Sequence, residues 1–382
     1  VANTLTNLLP DLYEALDVVS REMVGFIPAV TLDAGIGRAG IGEIVRSIAT
    51  PAVTAEDVTP GQLPPDDGDQ NIGNVPVQIT KSRMVPFRWS GEEQKGVNNG
   101  PGYRNIRQDQ VTQAFRTLTN EIEVFCGAMA IGASRASGTA GTSPFATDLS
   151  DPANMRKILS DNGAPLSNLQ MVIDTTAGSK MRSLTQYTKA NEAGSTQFRE
   201  QGTLMEVAGF KIKESAGVSV SVPGSVTGAV TGAAAKGATA VTLTTPSGGA
   251  VAIVAGDVVT FAGDTNKYVA AAAATIGAST TGTLTLGAPG LRQTISGAAI
   301  TVVGAATRNM AFSRSAIVLA TRAPALPEEG DMAEDRALLV DPKSGLAFEV
   351  SMYKLYKRVR YEVALAWGGA VIKPEHLALL LG

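Results

Sequence analysis

Apolar positions along the chain change period repeatedly, and each change predicts an element. Leu9, Leu12, Leu16, Val19, Met23 and Phe26 recur at steps of three and four, the mark of an amphipathic helix with a stripe near heptad spacing. Asn7 can cap its start, Pro10 falls in its first turn, and Pro28 stops it. Two segments of strand character come next, Gly42 to Ile48 and Val75 to Phe87. Between them lies a turn-rich acidic tip, Pro64-Pro65-Asp66-Asp67-Gly68-Asp69. Prolines at 51, 60, 64 and 65 would break a central strand, so the pair reads as an exposed edge ribbon. Such a ribbon has too few neighbours to build its own core, so it either flops or lies on another molecule. The terminal helix, with few local partners, reads equally as a surface helix covering its own domain or as an arm packed on a neighbouring subunit.

From Arg104 to Ala136 the period returns to three and four, with Val111, Phe115, Leu118, Ile122, Phe125 and Met129 on one face. Arg107, Asp109, Arg116 and Glu123 are placed on the opposite, polar face, and Gly138 and Gly141 are read as the stop. A helix this long serves as a spine. The rhythm then becomes mixed. A helix runs from Asp151 to Gly163, a buried strand from Leu169 to Ile173, a helix from Thr175 to Leu184, and a strand pair surrounds Gly209. Period-two alternation marks Leu346 to Trp367, and the end, His376 to Leu381, reads as helix-like.

Charge patterning changes the picture between Val222 and Ala306. Those 85 residues carry five charges, Lys236, Asp257, Asp264, Lys267 and Arg292, between flanks of ordinary composition. This predicts an inserted all-β barrel or sandwich of five or six short strands, entered through an outward-facing loop at Ser215 to Val222.

Composition sets further bounds. The net charge is −3, which argues against a general nucleic-acid or membrane-binding surface. Cys126, the single cysteine, lies among apolar neighbours and reads as a buried small hydrophobe. Neither a basic leader nor an apolar run of membrane-spanning length is visible. The expected compartment is a reducing cytoplasm.

Candidate chemistry is sparse. Gly35-Ile36-Gly37-Arg38-Ala39-Gly40 matches G-x-G-x-x-G, but the strand before it and the helix after it that a dinucleotide site needs are not predicted. It reads instead as a flexible hinge. Asp66, Asp67 and Asp69 lack the alternation of a calcium loop. His376 is the only histidine, and neither G-x-S-x-G nor H-E-x-x-H occurs. The run Lys354, Lys357, Arg358 and Arg360, with Tyr353, Tyr356 and Tyr361, reads as a solvated or interface face rather than a base-reading one. The chain therefore reads as non-enzymatic, with no cofactor and no metal. A tail, decoration or adhesin-like β protein is the alternative structural reading, and an enzyme using Gly35 to Gly40 a remote one.

Three stretches carry a resemblance. Ile79-Thr80-Lys81-Ser82-Arg83-Met84-Val85-Pro86-Phe87-Arg88-Trp89-Ser90-Gly91-Glu92-Glu93-Gln94-Lys95 resembles the ribbon-to-spine junction of tailed-phage coat proteins. Gly256 to Asp264 resembles part of their inserted domain, and Ala311 to Pro327 the segment after it. The order of elements also matches across nearly the whole chain. The sequence is thus similar to major capsid proteins of the HK97-like fold, in the short-tailed-phage branch with an inserted β-domain.

The resemblance implies an α+β fold in five parts: an N-terminal arm helix (1–34), an extended loop (35–90), a peripheral domain with the spine (91–145, completed by 345–366), an axial α/β domain (146–221, completed by 307–344 and 367–382), and the inserted domain (222–306). It implies hexamers and pentamers of an icosahedral head, assembled in a bacterial cytoplasm and ending in the virion. Scaffolding protein, a portal at one vertex and packaged double-stranded DNA bound without sequence specificity are the implied partners, with a cement protein as an optional addition and no membrane. The expected contacts between subunits are Leu9, Leu12 and Leu16 on the arm, Asp66, Asp67 and Asp69 on the tip, and Lys81, Arg83 and Arg88 on the returning arm.

Overall fold

The computed structural model describes residues 25–49, 73–97, 103–185, 204, 206–340 and 345–382. The arm residues Leu9, Leu12 and Leu16 and the tip residues Asp66, Asp67 and Asp69 lie outside them.

Among the described residues the strands form two large sheets. One is six-stranded. Thr31–Ala39 runs parallel to Ile317–Pro324, which pairs antiparallel with Arg358–Val371. Arg358–Val371 also pairs with Ala347–Leu355 and with Lys81–Ser90, and Ala333–Val340 forms the edge beyond Ala347–Leu355. Alternation along these strands sends Phe348, Val350, Met352, Tyr361, Val363 and Leu365 into the largest core cluster. The long helix Tyr103–Ala128 lays Val111, Phe115, Leu118 and Ile122 on that face, and Phe115 meets Phe348 edge-on with ring centroids 4.9 Å apart. At about 1.5 Å per residue this helix is about 39 Å long.

The helix stops earlier than Gly138. A 3-10 turn, Met129–Gly132, leads into the strand Arg135–Gly138. The Ala-rich sequence favours helix, but Arg135–Gly138 fills a slot between Leu377–Leu381 and Lys267–Val269, and pairing on both sides outweighs local propensity. The same competition decides the chain end. Leu377–Leu381 is a strand, not a helix, and all five residues are buried in the interior of the eight-stranded sheet. An unbroken apolar run suits a strand covered on both faces.

The eight-stranded sheet runs Ile300–Val302, Val258–Phe261, Lys267–Val269, Arg135–Gly138, Leu377–Leu381, Arg308–Ser313, Leu169–Ile173, Phe210–Glu214. Helices Ser150–Asp161 and Thr175–Ser183 pack on it through Met155, Leu159, Ala177 and Met181. Asp174 caps the second helix by accepting the N–H groups of Thr176 and Ala177, each at 3.1 Å.

Residues 225–302 carry nine short strands rather than five or six, because Gly- and Thr-rich turns cut the alternating runs into pieces of two to five residues. They enclose a cluster of their own, including Val241, Leu243, Phe261, Tyr268, Leu284 and Leu286. The module also continues the eight-stranded sheet, through Lys267↔Ala136 and Tyr268↔Arg135. The approach at 215–222 is not uniformly outward: Ser215 and Ser221 are buried, while Val220 and Val222 are exposed.

The glycine stretch is neither a nucleotide loop nor a hinge. Gly35 lies inside the strand Thr31–Ala39, and a Cβ there would sit 2.7 Å from the Arg322 guanidinium carbon. Arg322 donates to the Asp33 carbonyl at 2.6 Å and pairs with its carboxylate at 3.1 Å. The next element is the strand Ile44–Ala49, not a helix whose N-terminus could receive a pyrophosphate.

Candidate assembly surface

The ribbon pairs Ile44–Ala49 with Gly73–Gln78 in antiparallel register, from Ile44↔Gln78 to Ala49↔Gly73. Its root is fixed. The Gly42 N–H donates to the Ile79 carbonyl at 2.9 Å, the Ile79 N–H to the Glu43 carbonyl at 2.9 Å, and the Thr80 N–H to the Trp367 carbonyl at 3.1 Å. Val77 and Ile79 pack with Ala39, Ala320 and Ala366 in a small cluster. Gly368 is required there, since a side chain would collide with the Gln78 carbonyl oxygen. Beyond the root, period two separates the faces. Val45 turns toward the root cluster, whereas Ile44 is 52% and Ile48 76% exposed. Two large β-branched side chains on one face of a two-stranded ribbon are left in water.

The returning strand Lys81–Ser90 carries the three predicted cations, and the structure separates them. Lys81 and Arg83 share the face toward the long helix. Lys81 Nζ lies 5.8 Å from the centre of the Phe125 ring. Arg83 pairs with Glu121 of the same chain at 3.5 Å. Both cations line a hollow of about 470 Å³ with Thr117, Asn120 and Val124. Trp89, further along the same strand, is buried and donates from Nε1 to Gln110 at 2.8 Å. Arg88 lies on the other face, opposite Arg360 in register, and is exposed.

A second feature was not anticipated. Glu123, expected on the polar face of the helix, is buried. Its carboxylate accepts N–H groups from Gly25 at 3.3 Å, Phe26 at 3.0 and 3.1 Å, and Ile27 at 2.9 Å. Ser215 Oγ donates to it at 2.6 Å. Further along the same segment, Lys213 donates to the Pro28 carbonyl at 3.3 Å, and Arg314 Nε to the Val30 carbonyl at 3.2 Å. Phe26, Ile27, Ala29 and Val30 are buried. The segment 25–30 is thus held by an acid at its N–H groups and by two cations at its carbonyls.

The environment tunes two neighbours. Burial, reinforced by the charges of Arg314 and Lys211, brings Lys213 down to about 8. Burial and the Glu123 charge push the Cys126 thiol well above its ordinary value, so this buried cysteine is held as the inert thiol. A clue to Glu123 existed in the sequence: it comes directly after the apolar Ile122, on the flank of the stripe, where a wide buried face would reach it. Lys213 and Arg314 offered no clue, because their target is backbone.

The basic run is partly neutralised in place: Lys354 pairs with Glu334 at 2.7 Å and Arg360 with Glu362 at 2.9 Å. Burial lowers the His376 imidazole. No group of three His, Cys, Asp or Glu able to hold a metal ion occurs among the described residues, nor does a helix long and apolar enough to cross a membrane.

No family model matches this chain, and no curated protein matches it. Solved structures do. The capsid of the cyanophage P-SCSP1u is similar at 11% identity and a TM-score of 0.48, over 92% of this chain and 86% of that one. The mature capsid of bacteriophage PhiM1 is similar at 11% identity and a TM-score of 0.47, over 94% and 86%. A virus-like particle from Pyrococcus furiosus is similar at 9% identity and a TM-score of 0.42, over 98% and 100%. These three are two phage capsids and a virus-like particle.

Proposed function

We propose that this chain is the major capsid protein of a tailed double-stranded DNA phage, built on an HK97-like fold and assembling into hexamers and pentamers of an icosahedral head. The observation that carries the reading is the ribbon. Its root is bonded into the six-stranded sheet, and its Ile44 and Ile48 face has no cover among the described residues. A shell supplies that cover from the adjacent copy. Each buried isoleucine contributes about 1.5–3 kcal/mol, and the shell repeats the contact in every subunit.

In this reading residues 1–34 are the arm, 35–90 the extended loop, and 91–145 with 345–366 the peripheral domain. Residues 146–221 with 307–344 and 367–382 form the axial domain. Residues 222–306 are an insertion, and its two ends support that assignment. The Ser221 N–H donates to the Ala306 carbonyl at 2.8 Å, the Ala306 N–H donates to Ser221 Oγ at 2.8 Å, and Val220 bridges to Thr307. A module that leaves and returns at one point disturbs its host least. The insertion also braces its own subunit: Arg292 donates to the Asp161 carbonyl at 3.0 Å, Arg135 bonds Asn266, and Lys267 bonds the Gly138 carbonyl.

The implied partners are a scaffolding protein, a portal and DNA held without sequence reading. The test is expression of the chain with and without a co-encoded scaffold, followed by negative-stain microscopy. Closed shells of uniform size are expected. Monomers or small open oligomers under both conditions would overturn the reading.

A further inference from the structure

One end of the six-stranded sheet carries two loops of opposite charge. Strands Ala347–Leu355 and Arg358–Val371 join through a tight hairpin, with Leu355 opposite Arg358 in register. Tyr356 and Lys357 form its tip; Lys357 has φ of 52°, and Tyr356 is 88% exposed. Lys354, Lys357 and Arg358 surround that tyrosine. Beside the tip, Ala333 lies opposite Tyr353, which places the preceding loop at the same end. That loop presents Glu328, Glu329 and Asp331, with Glu334 and Asp335 just beyond, around a Met332 that is 82% exposed.

The two loops neutralise each other only in part. Lys354 takes Glu334, and Asp331 is held at 2.5 Å by Arg336 and at 2.9 Å by the Tyr353 hydroxyl. Strand register fixes the loops side by side, and Glu328, Glu329 and Lys357 stay unpaired there among the described residues. A nucleic acid or an anionic surface attracted by the lysines would meet five carboxylates. A second copy meets no such conflict. Rotated about an axis at this end of the sheet, it sets its acidic loop on the basic tip, and the contact closes into a pair or ring. A large exposed aromatic ringed by charge is also the anatomy of an interface anchor.

We propose that the Lys354–Arg358 hairpin of one copy docks on the 328–335 loop of the adjacent copy, with Tyr356 against Met332 and Lys357 and Arg358 against Glu328 and Glu329. The contact rests on the shell reading and adds a second, charge-matched interface about 30 Å along Arg358–Val371 from the ribbon root at Gly368.

The test uses the full chain in two tagged forms, Tyr356→Cys and Met332→Cys, expressed together. Cys126 is buried and stays silent, and a bond between different tags is necessarily between copies. The expected result, after the purified co-expressed protein is oxidised by dissolved oxygen with catalytic copper, is a mixed-tag disulfide that neither form gives alone. In parallel, Glu328→Lys with Glu329→Lys should lower assembled yield about tenfold. Adding Lys357→Glu and Arg358→Glu should restore it, which also shows that the first pair folds. Shells without the cross-link, and with yield unchanged by the first pair, overturn the contact and leave the shell reading intact. A cross-linked small ring without shells keeps the contact and overturns the shell. Monomers alone overturn both.

Discussion

Glu123, on the long helix, accepts the Phe26 N–H through both carboxylate oxygens, at 3.1 and 3.0 Å. The contact joins positions nearly a hundred residues apart and fixes the segment 25–27 on the long helix. In the proposed shell, an arm can reach a neighbour in one register only if its base does not move.

Truncating this acid should therefore cost more than a helix-surface substitution. Glu123→Ala leaves the N–H groups of Gly25, Phe26 and Ile27 and the Ser215 hydroxyl without their acceptor. Orphaned buried donors cost about 1–3 kcal/mol each before relaxation. We expect a net loss of about 3 kcal/mol in urea unfolding, with limited proteolysis moving into residues 25–30. Glu123→Gln keeps acceptor capacity on one oxygen and should lose less. Equal melting of Glu123→Ala and the wild type would show that the clamp carries no load.

Glu349 gives a second, independent case. It is buried in the strand Ala347–Leu355, and its carboxylate pairs with Arg38 at 2.5 Å and Arg336 at 3.2 Å. Thus Arg38, from the glycine stretch, serves the sheet. Removing one partner from a buried ion pair costs about 3–5 kcal/mol, moderated here because both arginines remain part-exposed. Glu349→Ala should lower stability by about 2–3 kcal/mol, measured by denaturant midpoint. Glu349→Gln should fall between.

These two acids show what was legible in the sequence and what was not. Period three-four located the long helix, and period two located Ala347–Leu355 and Arg358–Val371, because a single buried face imposes its repeat directly on the chain. Leu169–Ile173 was legible as an apolar run bounded by turn residues. Leu377–Leu381 was not: five apolar residues carry no period, and only the strands on either side select extended backbone. Thr31–Ala39 was hidden because its glycines read as a hinge, while its stability comes from Ile317–Pro324, nearly three hundred residues away. Ala333–Val340, an edge strand with mixed polarity, gave no repeat at all. On the candidate assembly surface, Lys81, Arg83 and Arg88 were legible as cations, but strand alternation alone could not tell that Arg83 pairs with Glu121 of its own chain. The ribbon was legible as a segment lacking a core, since its prolines and turn residues report that directly; the arm residues Leu9, Leu12 and Leu16 lie outside the described residues.

Lys213 supplies a pH signature. Its folded value is about 8 against 10.5 for the free side chain, with burial the first cause and the charges of Arg314 and Lys211 after it. Between those values the unfolded chain holds a proton that the folded chain has released, so stability rises as pH increases through this window. Below about 8 both states are protonated and this contribution is flat. Unfolding midpoints measured from pH 7 to 10.5 should rise more steeply for the wild type than for Lys213→Met. Parallel pH profiles for the two proteins would contradict the assignment.

The ribbon permits a separation of folding from assembly. Ile44 and Ile48 are exposed in the subunit, and neither belongs to a core cluster. Replacing both with serine removes apolar surface that is already in water, so subunit stability should stay within about 0.5 kcal/mol of the wild type. In the proposed shell the same side chains would be covered, and losing two buried isoleucines would remove about 3–6 kcal/mol from each contact. Assembly multiplies that loss over every subunit, so closed particles should disappear while the soluble subunit keeps its melting temperature. Val45→Ser is the control with the opposite sign. It faces the root cluster, so it should destabilise the subunit, and particles should fail only in proportion to the folded fraction. Sedimentation velocity with thermal melts on the same samples reads both effects. Normal particle yield from the Ile44→Ser, Ile48→Ser protein would show that the ribbon face is not an interface.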